Sequence, residues 1–146
     1  MTEVEIKEIN AGSEAYEQLL HFRNKLLRIP LGLDLFNEDL SDDANDHIII
    51  ALQGDKIVGC VMLQPKDKHV IKLRQMATAE EMQRKGLGKL LMAHAEETAT
   101  ENGYTKVMLH ARISAKEFYE KLGYTSFGEV FTEVTIPHIA MQKILQ

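Results

Sequence analysis

Cysteine occurs once in this 146-residue chain, as Cys60, so no disulfide can form within it. A reducing compartment, the cytoplasm, is the expected location. No run approaches the roughly eighteen consecutive apolar residues of a membrane-spanning helix. The opening Met1-Thr2-Glu3-Val4-Glu5 carries acids and no apolar core segment, unlike a signal peptide. Positive charge is in deficit, with 17 Lys and Arg against 22 Asp and Glu and a net charge of −5. That balance argues against general binding to nucleic acid or to an anionic membrane. The six histidines show no paired ligand spacing, so no metal is expected. Residues Asp39–Asp46 hold four aspartates without the ordered spacing of a calcium loop, and read as a solvated, mobile segment. Internal repeats, low-complexity tracts and linkers are lacking too. The chain reads as one domain, residues 1–146, long enough for a real core.

What is present is an ordinary globular composition, 45% hydrophobic and 27% charged. Val4–Ile9 alternates apolar and charged residues, as a half-buried strand does. Ser13 is placed to cap a helix with Tyr16, Leu19, Leu20, Leu26 and Leu27 on one stripe, ending before Pro30. Pro30–Asp46 reads as irregular, with one short helical turn. His47–Leu52 and Ile57–Leu63 are strand-like runs joined by the turn Gln53-Gly54-Asp55-Lys56. Val70–Ala77 is the fourth strand. A long helix begins near Leu87, with its apolar face at Leu90, Leu91, His94, Ala95 and Thr98, and stops at Asn102-Gly103. Lys106–His110 is a fifth strand. Ser114-x-x-Glu117 has the spacing of a capping box, opening a helix with Ala115, Phe118, Tyr119 and Leu122 inward and Gly123 closing it. Tyr124–Phe131 and His138–Lys143 complete the pattern as two strands. The order predicts an α/β domain with a mixed sheet.

The richest stretch is Gln83-Arg84-Lys85-Gly86-Leu87-Gly88, between the fourth strand and the long helix. A glycine-bearing loop that opens a helix leaves backbone N–H groups free at the positive end of the helix dipole. Such a place suits a phosphate or pyrophosphate. Gly86 and Gly88 permit close approach, and Arg84, Lys85 and Lys89 add positive charge. Neither the P-loop nor the dinucleotide fingerprint fits, because Gln83, Leu90 and Leu91 stand where those motifs need Gly, Ser or Thr, and Gly. Taken alone, the loop is equally readable as a strand–helix turn with no ligand.

The loop does not stand alone. Leu73-Arg74-Gln75-Met76-Ala77-Thr78 followed by residues 83–88, together with Ala115-x-x-Phe118-Tyr119-Glu120-Lys121-Leu122-Gly123-Tyr124, resembles the GCN5-related N-acetyltransferase (GNAT) family. The first segment is similar to the family's acetyl-CoA pyrophosphate loop and the second to its Ala-x-x-Phe/Leu-Tyr-x-x-x-Gly-Phe/Tyr helix. Leu109-His110-Ala111-Arg112 and Ile136-Pro137-His138-Ile139-x-Met141 further resemble the bacterial ElaA/YjcF-like subgroup. The resemblance implies about seven strands with flanking helices, splayed fourth and fifth strands, and an enzyme that transfers acetyl from acetyl-CoA (coenzyme A) directly to an amine. It implies that Met76, Ala77 and Thr78 run beside the pantetheine and that Gln83, Arg84, Lys85, Gly86, Leu87, Gly88 and Lys89 bind the pyrophosphate. Phe118 joins this cofactor set. An N–H near Met76 would polarise the thioester carbonyl, and Tyr119 falls on the general-acid tyrosine. The family's dimers make a homodimer admissible.

Residue chemistry fits this scheme. A thiol pKa of about 8.5 makes thiolate a fair leaving group, and a tyrosine of pKa near 10 is protonated at neutral pH. Tyr119 is also readable as a plain core aromatic of its helix. The general base is open among His138, His110, Glu129 and Glu133. Many relatives carry Asn where this chain has Arg112, which could meet the cofactor's phosphates, meet an acidic substrate, or lie in solvent. Thr135 stands where a glycine is common, so the last hairpin's turn is expected to differ. Cys60 reads as a small buried thiol. Two other functional classes remain open at this stage: a non-catalytic acyl-CoA-binding or sensing domain, and a structural module without a nucleotide ligand.

Overall fold

A computed structural model describes residues 3–146. Strands β1 (Glu5–Ile9), β2 (His47–Gln53), β3 (Lys56–Pro65), β4 (Val70–Thr78), β5 (Lys106–Arg112), β6 (Thr125–Glu133) and β7 (Ile136–Ile144) form one sheet. Their spatial order is β1-β2-β3-β4-β5-β7-β6. Only β4 and β5 run parallel, and the crossover between them carries helix α2 (Leu87–Glu101). Helix α1 (Glu14–Leu27) lies between β1 and β2, and the short α3 (Lys116–Lys121) follows β5.

The apolar runs of β2 and β3 have a simple cause: both sheet faces are covered. Ile49, Ala51, Val58, Val61 and Leu63 pack with Leu87, Leu91 and Ala95 of α2. Ile48, Ile50, Ile57, Cys60 and Met62 pack on the other face with Tyr16, Leu19 and Leu20 of α1. At Gly59 the approach is so close that a Cβ would stand 2.9 Å from Leu91 Cδ1.

Several local expectations are corrected. The buried stripe of α2 is Leu87, Leu91, Met92, Ala95, Thr98 and Ala99, whereas Leu90 is 48% exposed. At about 100° per residue Leu90 falls off the stripe that Leu87, Leu91 and Ala95 turn to the sheet, so it points outward. No capping box forms, since Ala115 holds the cap position of α3 without a side-chain bond and Ile113–Ala115 is already a turn of 3-10 helix. Ser13 does sit at the cap of α1, but its hydroxyl donates to Asn10 O (2.7 Å) rather than accepting from the helix. Three 3-10 turns, Ile29–Leu31, Leu35–Asn37 and Ser41–Asn45, occupy the stretch expected to hold one.

The aspartate-rich segment is not simply solvated. Asp43 is 1% exposed. It accepts from Tyr16 Oη (2.6 Å) and Arg23 Nη1 (2.7 Å) and pairs with Arg74 Nη2. Asp46 accepts from Arg74 Nε at 2.8 Å. Two arginines therefore tie residues 41–46 to α1 and to β4.

Candidate active site

The site arises where β4 and β5 part. Their pairing runs from Val70↔Lys106 to Leu73↔Leu109 and goes no further, although β4 continues to Thr78 and β5 to Arg112. Beyond Leu109, β5 pairs with β7 as far as Arg112↔His138, and the far half of β4 is left without a neighbour on that side. On its other side β4 carries a bulge, because Cys60 opposes Ala77 while Met62 opposes Arg74. Gln75 takes φ 56° there, a left-handed conformation rare outside glycine. The bulge is held from both sides: Arg23 Nε donates to Gln75 Oε1 (3.4 Å) and Cys60 Sγ donates to Gln75 O (3.1 Å). Burial pushes the Cys60 thiol up to about 12, so it stays a neutral packing group rather than a nucleophile.

Two cavities open into the gap. The first, of about 340 Å³, is lined by Met76, Ala77, Thr78, Gln83, Gly88 and Phe118 together with residues shared with the second. The second, of about 310 Å³, runs along Lys72–Gln75 of β4 and Leu109–Ala111 of β5 to Glu133, Val134 and His138 of the last hairpin. Leu27, Met76, Arg112, Ala115 and Tyr119 line both.

At the outer end of the first cavity lies the loop before α2. Arg84 (φ 66°) and Gly86 (φ 83°) are both left-handed, which turns the chain sharply into the helix. The first bond into α2 is donated by Leu90 N to Gly86 O (3.0 Å), so the preceding N–H groups of the helix are uncommitted. Arg84, Lys85 and Lys89 are exposed and have no carboxylate partner among the described residues. Leu87 differs from its neighbours: its side chain is buried beneath α2, leaving only its N–H to the loop. Gly88 faces the groove, where a Cβ would stand 3.3 Å from Phe118 Cζ and 3.9 Å from Met76 Cε.

Tyr119 forms the wall between the cavities. It is 7% exposed and rests edge-on against Phe118 and Tyr124, at ring distances of 5.0 and 5.9 Å. Its hydroxyl makes no hydrogen bond to the described residues. Burial pushes its pKa up to about 12, against the lowering influence of Arg112. Three of the four candidate bases meet in the second cavity. His110 Nδ1 lies 2.9 Å from Glu133 Oε1, and His138 Nε2 lies 3.8 Å from Glu133 Oε2. Glu129 is exposed on β6 and lines neither cavity.

Sequence reasoning missed Arg28, Lys72 and Arg74 as cavity residues. A signal existed for the latter two, since charged side chains on a central strand covered on both faces need a polar space to enter.

Residues 11–145 match the Acetyltransferase (GNAT) domain. The chain belongs to the GNAT family. Within that family, the uncharacterised N-acetyltransferase YjcF of Bacillus subtilis is 30% identical over 106 residues, 72% of this chain and 74% of the relative. Escherichia coli ElaA is 28% identical over 113 residues, 75% of this chain and 72% of ElaA. Its crystal structure superposes with a TM-score of 0.86 over 97% of this chain and 99% of that one, at 21% identity. A GNAT acetyltransferase from Elizabethkingia anophelis with acetyl-CoA bound superposes with a TM-score of 0.71 at 20% identity, covering 99% of this chain and 100% of that one. The match to two other Bacillus subtilis proteins spans 51%, about half, of each relative's length. The seven-stranded GNAT fold with its parallel β4–β5 pair is the one the motifs implied.

Proposed function

We propose that the protein transfers acetyl from acetyl-CoA directly to a primary amine, with donor and acceptor meeting at Tyr119. The observation that carries this reading is the shared wall, a buried tyrosine whose hydroxyl has no partner among the described residues, between a groove that ends in a cationic glycine loop and a second cavity.

Pyrophosphate would sit on the N–H groups and cations of residues 83–89, where the dipole of α2 adds to the attraction. Met76, Ala77, Thr78, Gly88 and Phe118 would border the pantetheine, with the unpaired edge of β4 accepting its amides, and Arg112 at the inner end. An N–H at the Met76 bulge would hold the oxyanion. In the reaction the amine nitrogen attacks the thioester carbon, the C–N bond forms and the C–S bond breaks. The amine's proton passes to the His110–Glu133–His138 cluster, and the departing sulfur takes a proton from Tyr119. Composition favours the cytoplasm as the place of action, and neither nucleic acid nor membrane enters the reading.

Release of free thiol from acetyl-CoA, screened over amino acids, polyamines, aminoglycosides, amino sugars and short peptides, tests it. Amine-dependent release is the expected result. Acetyl-CoA binding without release across the panel would favour a sensing domain instead.

A further inference from the structure

The acceptor cavity is cationic in a protein whose net charge is −5. Arg28, Lys72, Arg74 and Arg112 line it, against Glu133 as the one acid. Two of these cations are neutralised from outside the cavity. Arg28 makes a bidentate pair with Glu38 (2.6 and 3.2 Å), and Arg74 is held by Asp43 and Asp46. Glu133 is likewise engaged, by His110 and His138.

Arg112 and Lys72 remain. Neither has a carboxylate within ion-pair distance among the described residues. Both are half-buried, and the closest polar contact of Arg112 is a long one, from Nη2 to Leu27 O at 3.5 Å. Burial presses against the charge of each, joined by Arg28 at Arg112, and at Lys72 it outweighs the support of Glu133. A half-buried guanidinium with five donors and one marginal acceptor has donors to spare for an anion with two oxygens.

Position narrows the anion further. Arg112 stands in the wall that also holds Tyr119 and Met76, where the thioester would lie. An anion on Arg112 is therefore close to the reacting amine of the same molecule. Lys72, whose register partner is Met108, lies about 13 Å further down the strands at roughly 3.3 Å per residue, in reach of the acceptor's other end. The cavity's size, about 310 Å³, suits a small molecule rather than a protein surface. A cationic lining also disfavours an ammonium and favours the neutral, nucleophilic amine.

Resting on the acetyltransferase reading, we propose that the acceptor is a small amine carrying an anionic group beside its amino group, of the α-amino-acid type, and that Arg112 is the residue that holds that anion. The specificity lies in the pairing of charge and amine at one end of the cavity, with Lys72 receiving a polar group at the other.

Matched acceptor pairs test this. Each common L-amino acid is compared with its amide, and phosphoethanolamine with ethanolamine, by thiol release and by calorimetric titration of the CoA-bound protein. The expected result is a preference for the acidic member of about 10- to 100-fold in kcat/KM or in Kd, the value of hydrogen bonds to a charged group. The amino-acid arm distinguishes carboxylate from the phosphate arm. Arg112→Met should remove that preference by raising KM for the acid, and Arg112→Lys should restore part of it, both by a larger factor than any change in the Kd of acetyl-CoA, whose groove Arg112 also lines. Equal use of acid and amide, no preference in either turnover or titration, or an Arg112→Met defect confined to acetyl-CoA affinity would overturn the proposal. Preferred turnover of neutral polyamines would do so while leaving the acetyltransferase reading intact. Loss of acetyl-CoA binding by the unmodified protein would strike that underlying reading instead.

Discussion

Replacing Tyr119 by phenylalanine deletes one hydroxyl and keeps the ring that packs against Phe118 and Tyr124. Because that hydroxyl has no hydrogen-bond partner among the described residues, stability should change by less than about 0.5 kcal/mol, a melting shift of at most about 2 °C. The catalytic effect should be far larger, though its size is bounded by the tyrosine's own acidity. Tyr119 at about 12 is a weaker acid than an ordinary thiol of pKa about 8.5, so even full transfer to the released thiolate is uphill by roughly 5 kcal/mol. Its contribution is then a hydrogen bond that strengthens as charge grows on sulfur, and net transfer is completed only as the phenolate regains the proton that the amine has lost. That places the loss near the lower end of the range for general acids, about 100-fold in kcat, or about 2.7 kcal/mol. KM for acetyl-CoA should hardly move. The ratio of wild-type to variant rates should also be flat between about pH 6 and 10, since the hydroxyl keeps its proton throughout. Thiol release at saturating acetyl-CoA with any accepted amine measures both quantities. A variant with kcat within twofold of wild type, or a defect that disappears by about pH 9, would refute the assignment.

Other outcomes follow from the same structure. Asp43→Asn removes the charge opposing the buried Arg23 and the half-buried Arg74 and should cost about 3–5 kcal/mol, lowering the melting temperature by about 10 °C; an unchanged melting curve would show that the network carries no net weight. Gly86→Glu puts a side chain at φ 83° and a negative charge where pyrophosphate is to bind, so calorimetry should show acetyl-CoA affinity falling more than about tenfold. Stability should drop by only about 1 kcal/mol, because an acid at a helix N-terminus offsets part of the backbone cost. At high pH the protein should weaken. Tyr119 binds its proton more tightly folded than unfolded, so its contribution is whole below pH 10 and is lost as pH rises through about 12, up to about 2.7 kcal/mol. Tyr16, pushed up by burial and by Asp43, acts in the same direction. Denaturant titrations at about pH 9 and 11 should show the fall, less steeply in Tyr119→Phe.

What the sequence revealed and what it hid divide by range of interaction. The loop at 83–88 and the opening of α2 were legible because glycine conformation and helix-end donors are local properties. The double-sided burial of β2 and β3 was implicit in their unbroken apolar runs. The α3 capping box failed because Ile113–Ala115 had already begun a tighter turn, leaving Ser114 no orphan donors to satisfy. The aspartates misled for a different reason. Nothing near Asp43 in sequence announces Arg23 and Arg74, which arrive from α1 and β4. Likewise the bulge at Gln75 depends on register across β3, and no propensity of Gln75 predicts φ 56°. The charge of the second cavity comes from Arg28, Lys72, Arg74 and Arg112, which only the tertiary fold brings together.

The two cavities touch at five residues, Leu27, Met76, Arg112, Ala115 and Tyr119, and otherwise draw on different lengths of chain. The donor groove is concentrated in one stretch, residues 76–88, with Phe118 beside it. The acceptor side is assembled from α1, β4, β5 and the final hairpin. On the proposed reading, a substitution at Lys72 or Val134, which line the second cavity alone, would alter what is acetylated without touching the grip on the acetyl donor. Inheritance can keep one half of such a molecule fixed while the other half drifts, so descendants of one ancestor can share a currency and differ entirely in what they spend it on.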